Sequence, residues 1–163
     1  MFTVGDKIVY PMHGAGIIEE IEEKKILGET RRYYILRVPC GDMKIMIPIE
    51  SSDGVGVRNI LTEVQLCEVI DSLQGDTTEM SSNWNRRYRE NMEKLKTGDA
   101  FEVAEVVRNL MRLDKEKKLS TGEKKMLSNA RQILQSEMIL VKNIDQKTAS
   151  EIIEKTVQIA FYL

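Results

Sequence analysis

Met43-Lys44-Ile45-Met46-Ile47-Pro48-Ile49-Glu50-Ser51-Ser52-Asp53-Gly54-Val55-Gly56 is the stretch in which the hydrophobic period of this chain changes. Its opening residues alternate, which puts Met43, Ile45 and Ile47 on one face of a strand and Lys44 and Met46 on the other. Its end, Ser51 to Gly56, is small, polar and glycine-bearing, the composition of a boundary. Upstream, Lys7-Ile8-Val9-Tyr10 reads as a strand stopped at Pro11, and Gly14-Ala15-Gly16 permits a sharp reversal or a bulge. Residues 15–27 and 30–38 are two runs rich in Ile, Tyr and Val, divided by a turn near Gly28. Four or five short strands in so small a span bury their apolar faces only by curling into a compact barrel. With so few core residues, such a module is expected to lean on a partner or on the next domain.

Downstream the period becomes helical. Leu61, Val64, Ile70 and Leu73 suggest one helix ending near Gly75. Trp84, Tyr88, Met92 and Leu95 mark one face of a second, stopped at Gly98. Asp99 with Glu102 forms a capping-box pattern ahead of the stripe Val103, Val106, Val107, Leu110 and Met111. Ser120 with Glu123 repeats that pattern ahead of Leu127, Ala130, Ile133, Leu134 and Val141. Asp145 is placed to cap a fifth helix, with Ala149, Ile152, Ile153, Thr156, Val157 and Ala160 facing inward. The expected fold is α+β: a β module over residues 1–53, then a bundle of about five helices over residues 54–163.

Composition narrows the function class. With 42% hydrophobic and 31% charged residues the chain is globular rather than disordered. Its apolar runs are too short for a membrane helix, and Met1-Phe2-Thr3-Val4-Gly5-Asp6-Lys7 does not open like a secretory signal. Cys40 and Cys67 form no CxxC pattern and read as idle thiols in a reducing cytoplasm. A net charge of −2 argues against a protein that coats nucleic acid, yet the charge is uneven. Residues 1–53 hold 7 Lys/Arg and 9 Asp/Glu, whereas residues 82–97 carry five basic against two acidic side chains and residues 115–131 six against two. Local basic stretches in a near-neutral protein suit a confined contact with an anionic partner, and they also suit solvated helix faces.

Catalytic chemistry leaves no trace. His13, the single histidine, sits in a turn with no neighbouring ligand, and zinc needs three or four. There is no GxGxxG, GxxxxGK[ST] or GxSxG. Acidic residues 19, 20, 22 and 23 would alternate between the faces of a strand, so they are expected to solvate an exposed edge rather than hold a metal. No cofactor is expected and no enzyme.

Trp84, the only tryptophan, opens its helix beside Asn83, Asn85, Arg86, Arg87 and Arg89. It reads either as the first core anchor in line with Tyr88 or as an aromatic presented to a base, with cations on flanking phosphates. Helical spacing puts Arg86 and Arg89 on one face and Arg87 off it, so the three cannot meet the same phosphates.

The run Ser82-Asn83-Trp84-Asn85-Arg86-Arg87-Tyr88-Arg89-Glu90-Asn91-Met92-Glu93-Lys94-Leu95 resembles the tryptophan-bearing segment of the CarD family of bacterial transcription regulators. The likeness continues through Gly98-Asp99, Val103-Ala104-Glu105-Val106-Val107-Arg108, Leu119-Ser120-x-Gly122-Glu123-Lys124-Lys125-Met126-Leu127 and Ala130-Arg131-Gln132-Ile133-Leu134. The opening Val4-Gly5-Asp6-x-x-Val9-Tyr10-Pro11-x-His13-Gly14 is also a family feature, shared with transcription-repair coupling factors. The resemblance implies a Tudor-like small barrel that binds the β subunit of RNA polymerase, and a helical domain on promoter DNA. In that reading Trp84 wedges into the minor groove at the upstream edge of the bubble and tunes the open complex. Arg86, Arg87 and Arg89 match the basic residues beside the wedge, and Lys124 and Lys125 match backbone-facing positions of a later helix. Lys24 and Ile26 match polymerase contacts in the turn between the second and third strands. Met46 stands where relatives often carry arginine, and Lys24 is a lysine where arginine is common. Lysine offers a point charge and methionine none, so a weaker or more apolar polymerase contact is implied. A cytoplasmic monomer is expected. The competing reading is a protein–protein adaptor whose helical half binds protein and whose Trp84 is core.

Overall fold

The computed structural model describes residues 1–159. Alternation sets the strands: β1 (Lys7–Tyr10), β2 (Gly14–Ile26), β3 (Glu29–Val38), β4 (Met43–Pro48) and β5 (Arg58–Asn59). They form one antiparallel sheet in the order β4-β3-β2-β1-β5. The expected barrel does not close. β1 has four residues and β5 two, too little strand to bring that edge round to β4 at the other end of the sheet. A helix supplies the missing cover, because α4 packs against β2. Ile8, Ile18, Tyr34, Leu36, Val38, Cys40 and Ile47 form the core of the sheet. Burial pushes the Cys40 thiol up to about 11, so it stays protonated; Cys67 is exposed.

β5 lies beyond the Ser51–Gly56 boundary and returns to pair with β1, so the glycine-bearing stretch is a set of turns within the sheet's connection. β2 sits inside the sheet, which alters the reading of its acidic run. Glu19 does not solvate an edge. It accepts from Arg37 and pairs with Lys44 on neighbouring strands, and Arg37 holds its carboxyl below the usual range.

The helices are α1 (Glu63–Ser72), α2 (Trp84–Lys96), α3 (Ala100–Glu116), α4 (Thr121–Lys142) and α5 (Gln146–Ile159). Leu66, Val69 and the following Leu73 are the buried anchors of α1, while Val64 is 71% exposed, contrary to the spacing read from sequence. The register is fixed by a full capping box between Thr62 and Gln65, which the sequence reading passed over. In α3 the apolar stripe is buried as expected, but Asp99 caps the amide of Phe101 without a reciprocal bond from Glu102. Asp145 accepts from Thr148 at the start of α5, and Ala149, Ile153, Thr156 and Val157 are buried there. Ala160 lies outside the described residues.

Sheet and bundle are joined by polar contacts as well as apolar ones. Gly14 has φ +111°, and a Cβ there would lie 2.7 Å from Ser136 Oγ on α4. The Ala15 amide donates to that same oxygen at 2.8 Å, and Ser136 Oγ donates onward to Ile133 O at 2.6 Å. One helical step further, the Glu137 carboxylate takes both terminal nitrogens of Arg58 at 2.8 and 2.9 Å and the Leu61 amide at 2.9 Å. Arg58 Nε donates to Gly98 O, so one guanidinium touches β5, α4 and the α2–α3 turn. Ile139, two residues on, packs against both hydrophobic cores.

Removing the Glu137 carboxylate deprives the partly exposed Arg58 and the Leu61 amide of their acceptor, at a cost of roughly 1–3 kcal/mol. Glu137→Ala is therefore expected to lose that much folding free energy in a urea melt. A loss within the range of an ordinary surface substitution, about 0.5 kcal/mol, would show that the joint is not what couples the two cores.

Candidate functional site

The β2–β3 hairpin turns through two residues, Leu27 (φ +52°) and Gly28 (φ +82°), the sign pattern of a type I′ turn. Leucine is a costly residue for that conformation, by about 1–2 kcal/mol, and here its side chain is 100% exposed. A fully hydrated leucine in a left-handed turn position packs against nothing in the fold and leaves its apolar side chain open to solvent. The sequence reading missed it, although Ile26-Leu27 beside Gly28 is an apolar pair where turns are ordinarily polar. Lys24 and Ile26 are not in the turn, as expected from sequence, but on the last rungs of β2, opposite Arg31 and Glu29. Met46 on β4 faces Ile35, which faces Glu20. Counting by twos from Glu20 reaches Lys24 and Ile26, so all three expected contact residues share one face of the sheet. They form a strip about 20 Å long rather than a single cluster.

The second candidate site is at one end of the bundle. α2 begins at Trp84 because Asn83 caps it, accepting from the Arg86 amide at 3.2 Å. Residues 73–78, which lead to it, are braced by α3. Arg112 donates to Leu73 O, Gly75 O and Thr77 Oγ1, and Arg108 donates to Ser72 O. Asn109 and Thr78 exchange two hydrogen bonds. These buried polar residues lie on a helix whose apolar stripe alone was visible in sequence, so the brace was not.

Trp84 is 56% exposed, against 1% for Leu95 at the far end of the same helix face. Tyr88 and Met92, the intervening anchors, are half-buried against the bundle. The tryptophan thus overhangs the core that its spacing pointed it toward. At ~100° per residue, Arg87 and Tyr88 lie within about 60° of Trp84, while Arg86 and Arg89 lie roughly 140–200° away. Arg86 donates to Glu90 at 2.8 Å on that outer face, in a pair exposed at both ends. Arg87 turns inward. Its Nε and Nη2 donate to Glu123 of α4, both at 2.7 Å, and Nη1 donates to Ser81 O at 3.1 Å. Those bonds raise the Arg87 pKa further. Glu123, expected to close a capping box on Ser120, is held instead by Arg87; only the Ser120 side of the box, to the Glu123 amide, is formed.

This ion pair sets the first turn of α2 beside the first turn of α4, whose Lys124 and Lys125 are both exposed. The first turn of α2 therefore carries an exposed indole and the first turn of α4 two exposed lysines, and each helix N-terminus has a partial positive charge that favours an anion. Among the described residues, no group of three or more His, Cys, Asp or Glu could hold a metal. No helix among them is long and apolar enough to cross a membrane.

Because the indole stands outside the core, Trp84→Ala is expected to shift the melting midpoint little. Removing a core tryptophan would cost about 3–5 kcal/mol. A thermal melt decides, and a collapse of the midpoint would return Trp84 to the core.

Comparison with known sequences follows the same division. A family model described as "CarD-like/TRCF RID domain" matches residues 2–61, the sheet through β5, and one described as "CarD, C-terminal domain" matches residues 68–154. A Bacillus subtilis (strain 168) protein named "Putative transcription factor YdeB" is 45% identical over 147 residues, which is 90% of this chain and 96% of that relative. With both halves matched in order and a relative aligned over nearly its whole length, the chain belongs to the CarD family.

Proposed function

We propose that this protein is a transcription regulator that binds the β subunit of RNA polymerase through its sheet and stabilises the open promoter complex with Trp84. The observation that carries the reading is the exposed indole at a cationic corner, held there by a scaffold that does not need it for packing. An apolar wedge offsets part of the cost of an unstacked base step, on the order of a few kcal/mol. At the upstream edge of a bubble that step is already unstacked, so the protein need only prefer the open state for the equilibrium to follow.

Within this reading Arg86 and Arg89 serve phosphates on one side of the wedge, and Lys124 and Lys125 serve them on the other. Arg86 is free to exchange Glu90 for a phosphate, since an exposed pair is worth little. Arg87, with its donors committed to Glu123 and Ser81, serves as scaffold. Lys24, Ile26 and Met46 form the polymerase-facing strip, with Leu27 added at its tip. On that face Lys24, Ile26 and Met46 are interleaved with Glu20, Glu22, Glu29 and Arg31, so the contact joins apolar side chains to charges of both signs.

Trp84→Ala is expected to capture polymerase as the parent does yet fail to prolong the open complex, while Trp84→Phe keeps part of the effect. A time course of open-complex dissociation measures both, and a Trp84→Ala variant as effective as the parent refutes the wedge. Lys24→Glu is expected to weaken polymerase capture by the intact chain by about tenfold or more, ~1.4 kcal/mol. Undiminished capture would move the partner off this face. Replacing Arg86, Arg89, Lys124 and Lys125 by alanine is expected to lower the salt slope of DNA engagement by about one unit for each phosphate that is no longer neutralised. A slope that does not move would favour the adaptor reading.

A further inference from the structure

We propose that the Arg87–Glu123 ion pair is a positioning device that sets the angle at which Trp84 is presented, an inference that rests on the wedge reading. The Arg87 side chain is 13% exposed and that of Glu123 2%, so the pair is walled off from solvent, whereas the neighbouring Arg86–Glu90 pair on the same helix is hydrated. Its connections run toward the tryptophan. Arg87 Nη1 holds the carbonyl of Ser81, Ser81 Oγ accepts from the Asn83 amide at 3.2 Å, and Asn83 caps the helix that Trp84 opens. From the other side, Ser120 Oγ meets Glu123 Oε1 at 3.2 Å, which ties the carboxylate to the cap of α4. The backbone on both sides of Trp84 is thereby referred to α4 through one guanidinium.

Little else is present to hold it. Arg87 and Glu123 line a cleft of about 400 Å³ whose other walls include Met80, Ser82 and Leu119. Ser81 and Ser82, which lead into the helix that Trp84 opens, border this space. Tyr88, the nearest aromatic on the same face, packs against the bundle core and lies over Gly122 of α4, where a Cβ would stand 3.8 Å from its ring. A wedge must meet its base step at a fixed angle, and a first helical turn tethered by backbone caps alone frays. Two parallel N–H···O bonds fix orientation as well as distance. Lysine could supply the charge but not the fork, nor reach Glu123 and Ser81 O together.

Two variants of the full chain test this. Arg87→Lys keeps the charge and loses the fork; Arg87→Met with Glu123→Met removes both charges and leaves neither stranded, so the fold is retained. Three readouts are taken: fluorescence anisotropy of Trp84 in the free protein, open-complex lifetime, and the salt slope of DNA engagement. The expected result in both variants is lower Trp84 anisotropy, a lifetime shortened toward that of Trp84→Ala, and an unchanged salt slope. In a Trp84→Ala background the paired substitution should change lifetime by no more than about twofold, the margin within which independent effects add. Parental anisotropy in both variants overturns the proposal. So does a further loss of lifetime in the Trp84→Ala background or a salt slope lowered by about one unit, since either would place Arg87 on the DNA itself. If Trp84→Ala has the parent's lifetime, the wedge reading fails instead, and the anisotropy still decides whether the pair orients the indole.

Discussion

Glu137 is 3% exposed, and its carboxylate collects the last strand of the sheet and the approach to the first helix in three hydrogen bonds. A buried carboxylate is tolerable only when each of its oxygens is satisfied by donors in fixed positions. Here those donors come from Arg58 and Leu61, which belong to the stretch that leaves the sheet and enters the bundle. The constraint therefore fixes the relative orientation of the two parts, as a purely apolar contact of the same area would not. Gly14 and Ser136 sharpen it, since only a residue without Cβ lets β2 approach α4 closely enough for the Ala15 amide to bond.

That rigidity matters because Leu27 and Trp84, both exposed, lie on different parts. If one part grips polymerase and the other meets DNA, affinity gained at the first is useful to the second only if the joint does not flex. A second buried carboxylate–guanidinium pair, Glu123 with Arg87, repeats the device at a smaller scale. One pair orients a domain and the other orients a helical turn. Each gives up some folding free energy relative to an apolar contact and gains a defined geometry in return.

The chain places its poor residues where they do not help it fold. Leu27 occupies a left-handed turn position with its side chain in water, and Trp84 leaves more than half of its surface exposed. Met12 is also left-handed, but its side chain packs against the bundle core, whereas Leu27 has no such compensation. The polar connection between α1 and α2 is the counterpart: Arg108, Asn109 and Arg112 are buried polar groups on α3 that hold it in shape.

Local periodicity and caps were enough to determine that four strands precede five helices, that Asn83, Asp99, Ser120 and Asp145 lie at helix starts, and which residues line the stripe of α3. These are short-range properties, written into neighbours three or four residues apart. The family, too, was legible, because its motifs are contiguous. Pairing across long separations was not. Whether the sheet closes depends on the length of β5, a two-residue strand with no pattern to read. Whether Trp84 is core or surface depends on where α4 begins relative to it, and its spacing with Tyr88 and Leu95 is the same in either case. That the Glu123 carboxylate takes Arg87, 36 residues away, rather than the Ser120 amide, and that Glu137 reaches Arg58, 79 residues away, are outcomes of packing. A carboxylate in sequence is compatible with many partners; only the fold, by excluding water from all but one of them, selects which it keeps.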